Sequence, residues 1–182
     1  MKKCFILFFA MLIVGCASTG SISTNGDFKT VYDDVSDITM ITHSDMELGY
    51  FYNLKDNISG ERENLRLAIA DKSLVMIADY QNKDWIFINS IVLLDGKGGR
   101  LKIENGKRKD EVKNLNTVFV RERYIAKIDN NSVSTLRDIL RSEKPTASFI
   151  GTDSRTDKLD INPKVKAAMI ATIEKWLSLN EM

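Results

Sequence analysis

The sequence predicts an α+β fold, an antiparallel β-sheet meander packed against a C-terminal α-helix and one shorter helix. Three observations carry that expectation. Strand-length apolar runs, several alternating with period two, fill the middle of the chain from Leu65 to Ile128. Turn residues rich in glycine and asparagine separate them, which returns each strand beside the last. Near the C-terminus the apolar spacing becomes helical behind a capping residue.

Taken in order, the fold begins at Phe28. Asp37 to Thr42 reads as a first strand, His43 to Gly49 as a polar loop, and Tyr50, Phe51 and Tyr52 as part of a second strand. Leu65, Leu67 and Ile69 alternate with Arg66 and Ala68, the pattern of a strand with one buried face. Ser73 to Tyr80 and Trp85 to Leu94 are apolar on both faces and belong in the centre of a sheet. Asp95-Gly96-Lys97-Gly98-Gly99 is hairpin chemistry, followed by the alternating pair Leu101 and Ile103 and a turn at Asn105-Gly106. Val118, Val120, Tyr124, Ala126 and Ile128 share one face of a further strand, with Arg121, Arg123 and Lys127 on the other. Ser132 or Ser134 caps a short helix that turns Val133, Leu136, Ile139 and Leu140 inward and ends before Pro145. A strand over Ala147 to Ile150 follows. The last helix has Asn162 as N-cap, Pro163 in its first turn, and Val165, Ala168, Met169, Ile173, Trp176 and Leu177 at helical spacing.

The N-terminus has a different logic. Lys2 and Lys3 precede ten apolar residues, Phe5 to Val14, too few to cross a hydrocarbon core that takes about 20 helical residues. Ile13-Val14-Gly15-Cys16 closes the run with small residues and a thiol. This tetrapeptide resembles the lipobox of bacterial lipoproteins. The resemblance implies that diacylglycerol is attached to Cys16, that the chain is cut before it, and that the new amino group is acylated. Two or three acyl chains on one residue anchor a protein durably where one chain does not. The implied partner is a lipid bilayer, reached through acylated Cys16. Ala17 follows the cysteine, where aspartate favours inner-membrane retention in Gram-negative members of the family, so the outer membrane is the expected address. Without an outer membrane, the expected address is the outer face of the cytoplasmic membrane.

Residues 1–15 are therefore read as signal peptide, 16–27 as lipidated cysteine and flexible tether, and 28–182 as one globular domain. The tether, ASTGSISTNG over residues 17–26, spans roughly 15–20 Å as a flexible chain. Removing Lys2 and Lys3 from 26 cations leaves 24 against 25 acids, a balance with no electrostatic footprint for nucleic acid. Cys4 leaves with the signal and Cys16 is acylated, so the mature domain has no disulfide and no thiolate for metal binding or catalysis.

No constellation of residues points to a reaction. His43 is the sole histidine, read as a solvated loop residue beside Asp45 and Glu47, and zinc sites draw on more His or Cys ligands than this. The loop Asp95 to Arg100 lacks the spacing and following helix of a phosphate cradle. Asp153, Asp157 and Asp160 lack the calcium-loop pattern, with Arg155 and Lys158 beside them. Arg121 and Arg123 read as a solvent-facing row, and Tyr80, Trp85, Phe87 and Trp176 as core. No cofactor and no metal are expected. The resulting expectation is a non-catalytic, membrane-anchored lipoprotein that binds an envelope protein partner or supports an assembly. Two alternatives stand beside it: an envelope hydrolase using Asp and Glu side chains in a cleft, and a periplasmic carrier or sensor with an enclosed apolar cavity. In architecture alone the domain is similar to small uncharacterised bacterial lipoproteins.

Overall fold

A computed structural model describes residues 22–23, 27–33, 37–46, 62–115, 117–152, 156 and 158–181. Cys16 and the run Tyr50 to Tyr52 lie outside these residues. The fold is α+β, with antiparallel pairing throughout. The first sheet contains β1 (Ile22–Ser23), β2 (Phe28–Asp33), β3 (Ile38–His43), β4 (Arg62–Ala70), β5 (Ser73–Asn82), β8 (Lys107–Leu115) and β9 (Thr117–Lys127). The second contains β6 (Ser90–Leu94), β7 (Arg100–Ile103), β10 (Thr146–Ile150) and β11 (Leu159–Asp160). The spatial orders are β1-β2-β3-β4-β5-β9-β8 and β11-β10-β6-β7.

Strands β1 to β5 thus lie side by side in chain order, the β6–β7 hairpin belongs to the second sheet, and the chain returns to lay β9 against β5. One expected sheet is two. Ile22 and Ser23, placed in the tether by their polar surroundings, pair with Thr30 and Lys29 and extend the first sheet. Trp85 to Leu94 is not one strand. Only Ser90–Leu94 pairs as β6, because the preceding residues carry the chain from one sheet to the other.

The two helices are α1 (Val133–Arg141) and α2 (Pro163–Asn180). In α2 the Asn162 side chain accepts a hydrogen bond from the Val165 N–H at 2.9 Å and Pro163 occupies the first turn, as the sequence predicts. Ala168, Met169, Ile173 and Trp176 are buried against the first sheet, and the Trp176 indole N–H donates to the Lys72 carbonyl at 2.9 Å. In α1, Val133, Leu136, Ile139 and Leu140 are buried, while Ser132 caps without a side-chain hydrogen bond, being the last residue of a 3₁₀ turn over Asn130–Ser132. The main core fills the space between one face of the first sheet, the second sheet and the helices. It contains Leu67, Met76, Tyr124, Ile91, Phe149 and Met169.

The opposite face of the first sheet is not left to water. A second cluster of Met40, Ala68, Ala70, Val75 and Ile77 occupies it. Asp33 of β2 and Arg123 of β9 meet there, with Arg123 Nη1 donating to both carboxylate oxygens at 3.0 and 2.9 Å. Four strand spacings separate β2 from β9, about 19 Å in a flat sheet, so the sheet must roll until its two sides touch. That roll buries both faces of β4 and β5. It explains why Arg66, expected on an exposed face, is 1% exposed.

Candidate functional site

The inner face of the roll holds four buried charges. Arg66 on β4 is bound through Nη2 to Asp79 Oδ2, and Arg123 Nε donates to Asp79 Oδ1 at 2.5 Å. Asp79 stands directly across from Arg123 in the β5–β9 register, which places the two on one side of the sheet. Asp33 completes the group from β2. All four residues are at most 4% exposed. Burial lowers the Arg66 guanidinium from its usual range, and the charge of Asp79 offsets part of that shift. Arg66 Nε and Nη1 and the Thr42 hydroxyl on the same face find no hydrogen-bond partner among the described residues. Arg121, two residues from Arg123, donates to the Gln81 side chain at 2.6 Å. The expected solvent-facing arginine row is therefore corrected: Arg123 is buried because the roll brings Asp33 to a guanidinium already paired across the strands with Asp79.

A fifth buried charge lies on the opposite face. Glu122 is 0% exposed and falls in the apolar stripe with Val120 and Tyr124. Its Oε1 accepts the N–H groups of Ile86 and Phe87 at 2.7 and 2.9 Å, and its Oε2 accepts that of Ile88 at 2.6 Å. Three charge-assisted bonds pin the crossing segment between the sheets. Asn89 N–H donates to the Ile150 carbonyl, and Thr152 N–H to the Ile86 carbonyl. Gly151 permits this approach, since a Cβ there would stand 1.6 Å from the Ile86 carbonyl oxygen.

The pinned segment holds Phe87 at φ +55° with 43% of its surface exposed. That conformation is strained for a residue bearing a Cβ, and such strain persists only where surrounding bonds over-determine it. Here the Glu122 carboxylate does so. Trp85 stacks on Phe87 with centroids 5.8 Å apart and planes 11° from parallel. The Arg108 guanidinium lies over the Phe87 ring at 5.0 Å and its Nε donates to both oxygens of Asp110 at 2.8 and 3.1 Å. Core, Trp85, Phe87, Arg108 and Asp110 thus form a ladder that leads outward to β8, which with β1 forms the two edges of the first sheet among the described residues. Trp85 and Phe87, expected in the core, are the rungs of this ladder because the chain turns outward at Phe87.

The other sequence candidates separate. His43 ends β3 and is buried, packed edge-to-face on Phe28 with centroids at 5.1 Å, which corrects the solvated-loop reading. Its Nδ1 accepts the Asp45 N–H, while the Asp45 carboxylate faces Lys164 at 2.9 Å. Asp95 caps its own hairpin. Its Oδ1 accepts the N–H groups of Lys97 and Gly99 at 2.7 and 2.8 Å, and these bonds lower the carboxyl from its ordinary range. Asp160 is exposed on β11, and Glu47, Asp153, Arg155 and Asp157 lie outside the described residues. No three His, Cys, Asp or Glu side chains among the described residues are grouped to share a metal ion. An open groove of about 460 Å³ crosses the outer face of the second sheet, lined by Val92, Leu94, Arg100, Ser148, Ile150, Thr156 and Lys158.

Tyr80 reports on the pinned segment. Its hydroxyl donates to the Asp84 carbonyl at 3.2 Å, and burial, with the charges of Glu122 and Glu63 adding to it, pushes the phenol up to about 12. The folded chain therefore holds this proton more tightly than the unfolded chain, whose phenol titrates near 10. The stabilisation is complete below pH 10 and is lost as pH rises toward 12. A tyrosinate absorbance titration should show a late component that moves only part of the way back toward the ordinary range in Glu122→Gln, because burial and the Glu63 charge still act on the phenol.

No protein-family model, curated protein or solved structure matches this chain.

Proposed function

We propose that this chain is a bacterial envelope lipoprotein, anchored to a lipid bilayer through acylated Cys16, whose domain is a non-catalytic binding and assembly-support module. The observation that carries the reading is the N-terminal run ending in Ile13-Val14-Gly15-Cys16, with its basic start and short apolar core. The chemistry of the buried acids supports the second half. A cleft hydrolase needs two carboxylates facing one another with one pKa raised. Asp33 and Asp79 face arginines, and Glu122 is occupied by three backbone N–H groups. These bonds commit the acids to holding the sheet and the crossing segment.

Intact mass of the membrane-extracted protein tests the anchor. The expected chain begins at Cys16 and carries diacylglyceryl and acyl groups, and Cys16→Ser abolishes both the mass increase and membrane fractionation. An unmodified wild-type chain recovered in the soluble fraction would refute it.

A further inference from the structure

The outer side of β8 meets no neighbouring strand among the described residues. A nine-residue edge of this kind is a template for another strand. Its sequence, KRKDEVKNL, carries charges of both signs in a particular order.

Consider two copies pairing edge to edge in antiparallel fashion about a two-fold axis. Residues that face each other across strands share one side of the sheet, so the axis must pass between one residue and its own copy. Centred on Lys109, the pair sets Arg108 opposite Asp110 of the second copy and Lys107 opposite Glu111 of the second copy, each twice, with Lys109 alone meeting its like. Centred on Asp110, it sets Lys109 opposite Glu111 twice, but Asp110 against itself and Lys107 against Lys113 twice, so attraction and repulsion offset. Centred on Glu111, it sets Glu111 against itself and Lys109 against Lys113. Centred on Val112, it offers only Glu111 against Lys113. Cross-strand opposite charges favour a register and like charges disfavour it, so the Lys109 register stands out.

The ladder prepares that register. Arg108 is held by the Phe87 ring and by Asp110, and joining two copies brings two Arg108–Asp110 pairs together as a ring of alternating charge. The strain at Phe87 then has a use, since Phe87 orients the arginine at the edge.

We propose that β8 pairs with β8 of a second copy of this chain, centred on Lys109, and joins two first sheets into one. This deepens the reading of an anchored assembly module and rests on it in one respect: anchoring confines copies to a surface and raises their effective concentration. The pairing itself belongs to the domain, so it is tested without the anchor.

The mature chain bearing Cys16→Ser has no cysteine, so a single introduced thiol can be followed. In the proposed register Lys109 faces its own copy at a Cα separation of about 4.5–5.5 Å, within disulfide reach. Under mild oxidation Lys109→Cys is expected to give a covalent dimer about tenfold faster than Val112→Cys, although Val112 is 54% exposed. Adding Arg108→Asp to Lys109→Cys should abolish the dimer, and adding Asp110→Arg as well should restore it by exchanging the signs. Equal rates for the two thiols, faster linkage at Val112, or no effect of the charge changes would each overturn the proposal. A monomeric but lipidated protein would leave the anchor standing, and an unlipidated dimer would leave the pairing standing.

Discussion

Arg123→Ala is expected to destabilise the domain by about 3–5 kcal/mol, read as a fall in the urea midpoint of the mature chain carrying Cys16→Ser. The substitution removes a side chain that bonds both inner carboxylates, taking both Arg123 Nη1 contacts from Asp33 and the Nε contact from Asp79. A buried carboxylate that loses its charge-assisted bonds to a guanidinium keeps the desolvation cost those bonds offset. Against a total stability of about 5–15 kcal/mol, such a loss puts the fold near its threshold. The damage has a location as well as a size, because Asp33 and Arg123 join strands four positions apart in the sheet. Amide exchange should therefore rise first in β2 and β3 and last in β5. Arg66→Met should cost less, since Asp79 keeps its bond to Arg123. Replacing all four charges together by Asp33→Leu, Arg66→Met, Asp79→Leu and Arg123→Met should recover much of the loss, as buried ion networks often exchange for apolar packing at little cost. A loss for Arg123→Ala below about 1 kcal/mol would place the pair in water and the roll elsewhere.

The sequence was legible wherever one local periodicity decided the outcome. Asn162, Pro163 and the apolar spacing behind them state the C-terminal helix without reference to the rest of the chain. The hairpin at Asp95 to Gly99 and the alternation of Leu101 with Ile103 are equally local. What the pattern misplaced depends on the roll of the first sheet, a property of the long-range contact between β2 and β9. Arg66 and Arg123 occupy polar positions in alternating strands, which a flat sheet would expose, and only the arrival of Asp33 makes them interior. Two signals pointed that way. Asp79 interrupts a run otherwise apolar on both faces, and Glu122 sits in register with Val120 and Tyr124. An acid in an apolar stripe announces a buried partner without naming it. The charged strand β8 passed unread because an edge strand has no apolar face to betray its period.

Glu122→Ala is the second large effect expected, about 3 kcal/mol, from two donors buried without an acceptor at roughly 1–3 kcal/mol each. Ile86 and Ile88 are 8% and 1% exposed and their N–H groups have no route to water, whereas Phe87 is exposed enough for its N–H to be rehydrated. Glu122→Gln separates charge from shape. The amide keeps one oxygen but turns an N–H₂ toward a position that needs an acceptor, so part of the loss should remain although the volume is unchanged. Hydrogen exchange resolves where the loss falls: protection of the Ile86 to Ile88 amides should drop in both variants while β5 and β9 keep theirs. The same release frees the Phe87 backbone from the left-handed region, and with it the ring that supports Arg108. Glu122 stands on the side of the sheet away from the inner quartet, so its loss and that of Arg123 should add in the double variant. Strong coupling between them would mean that the crossing segment helps to hold the roll, and that the buried quartet and Glu122, on opposite faces of the sheet, act as one device.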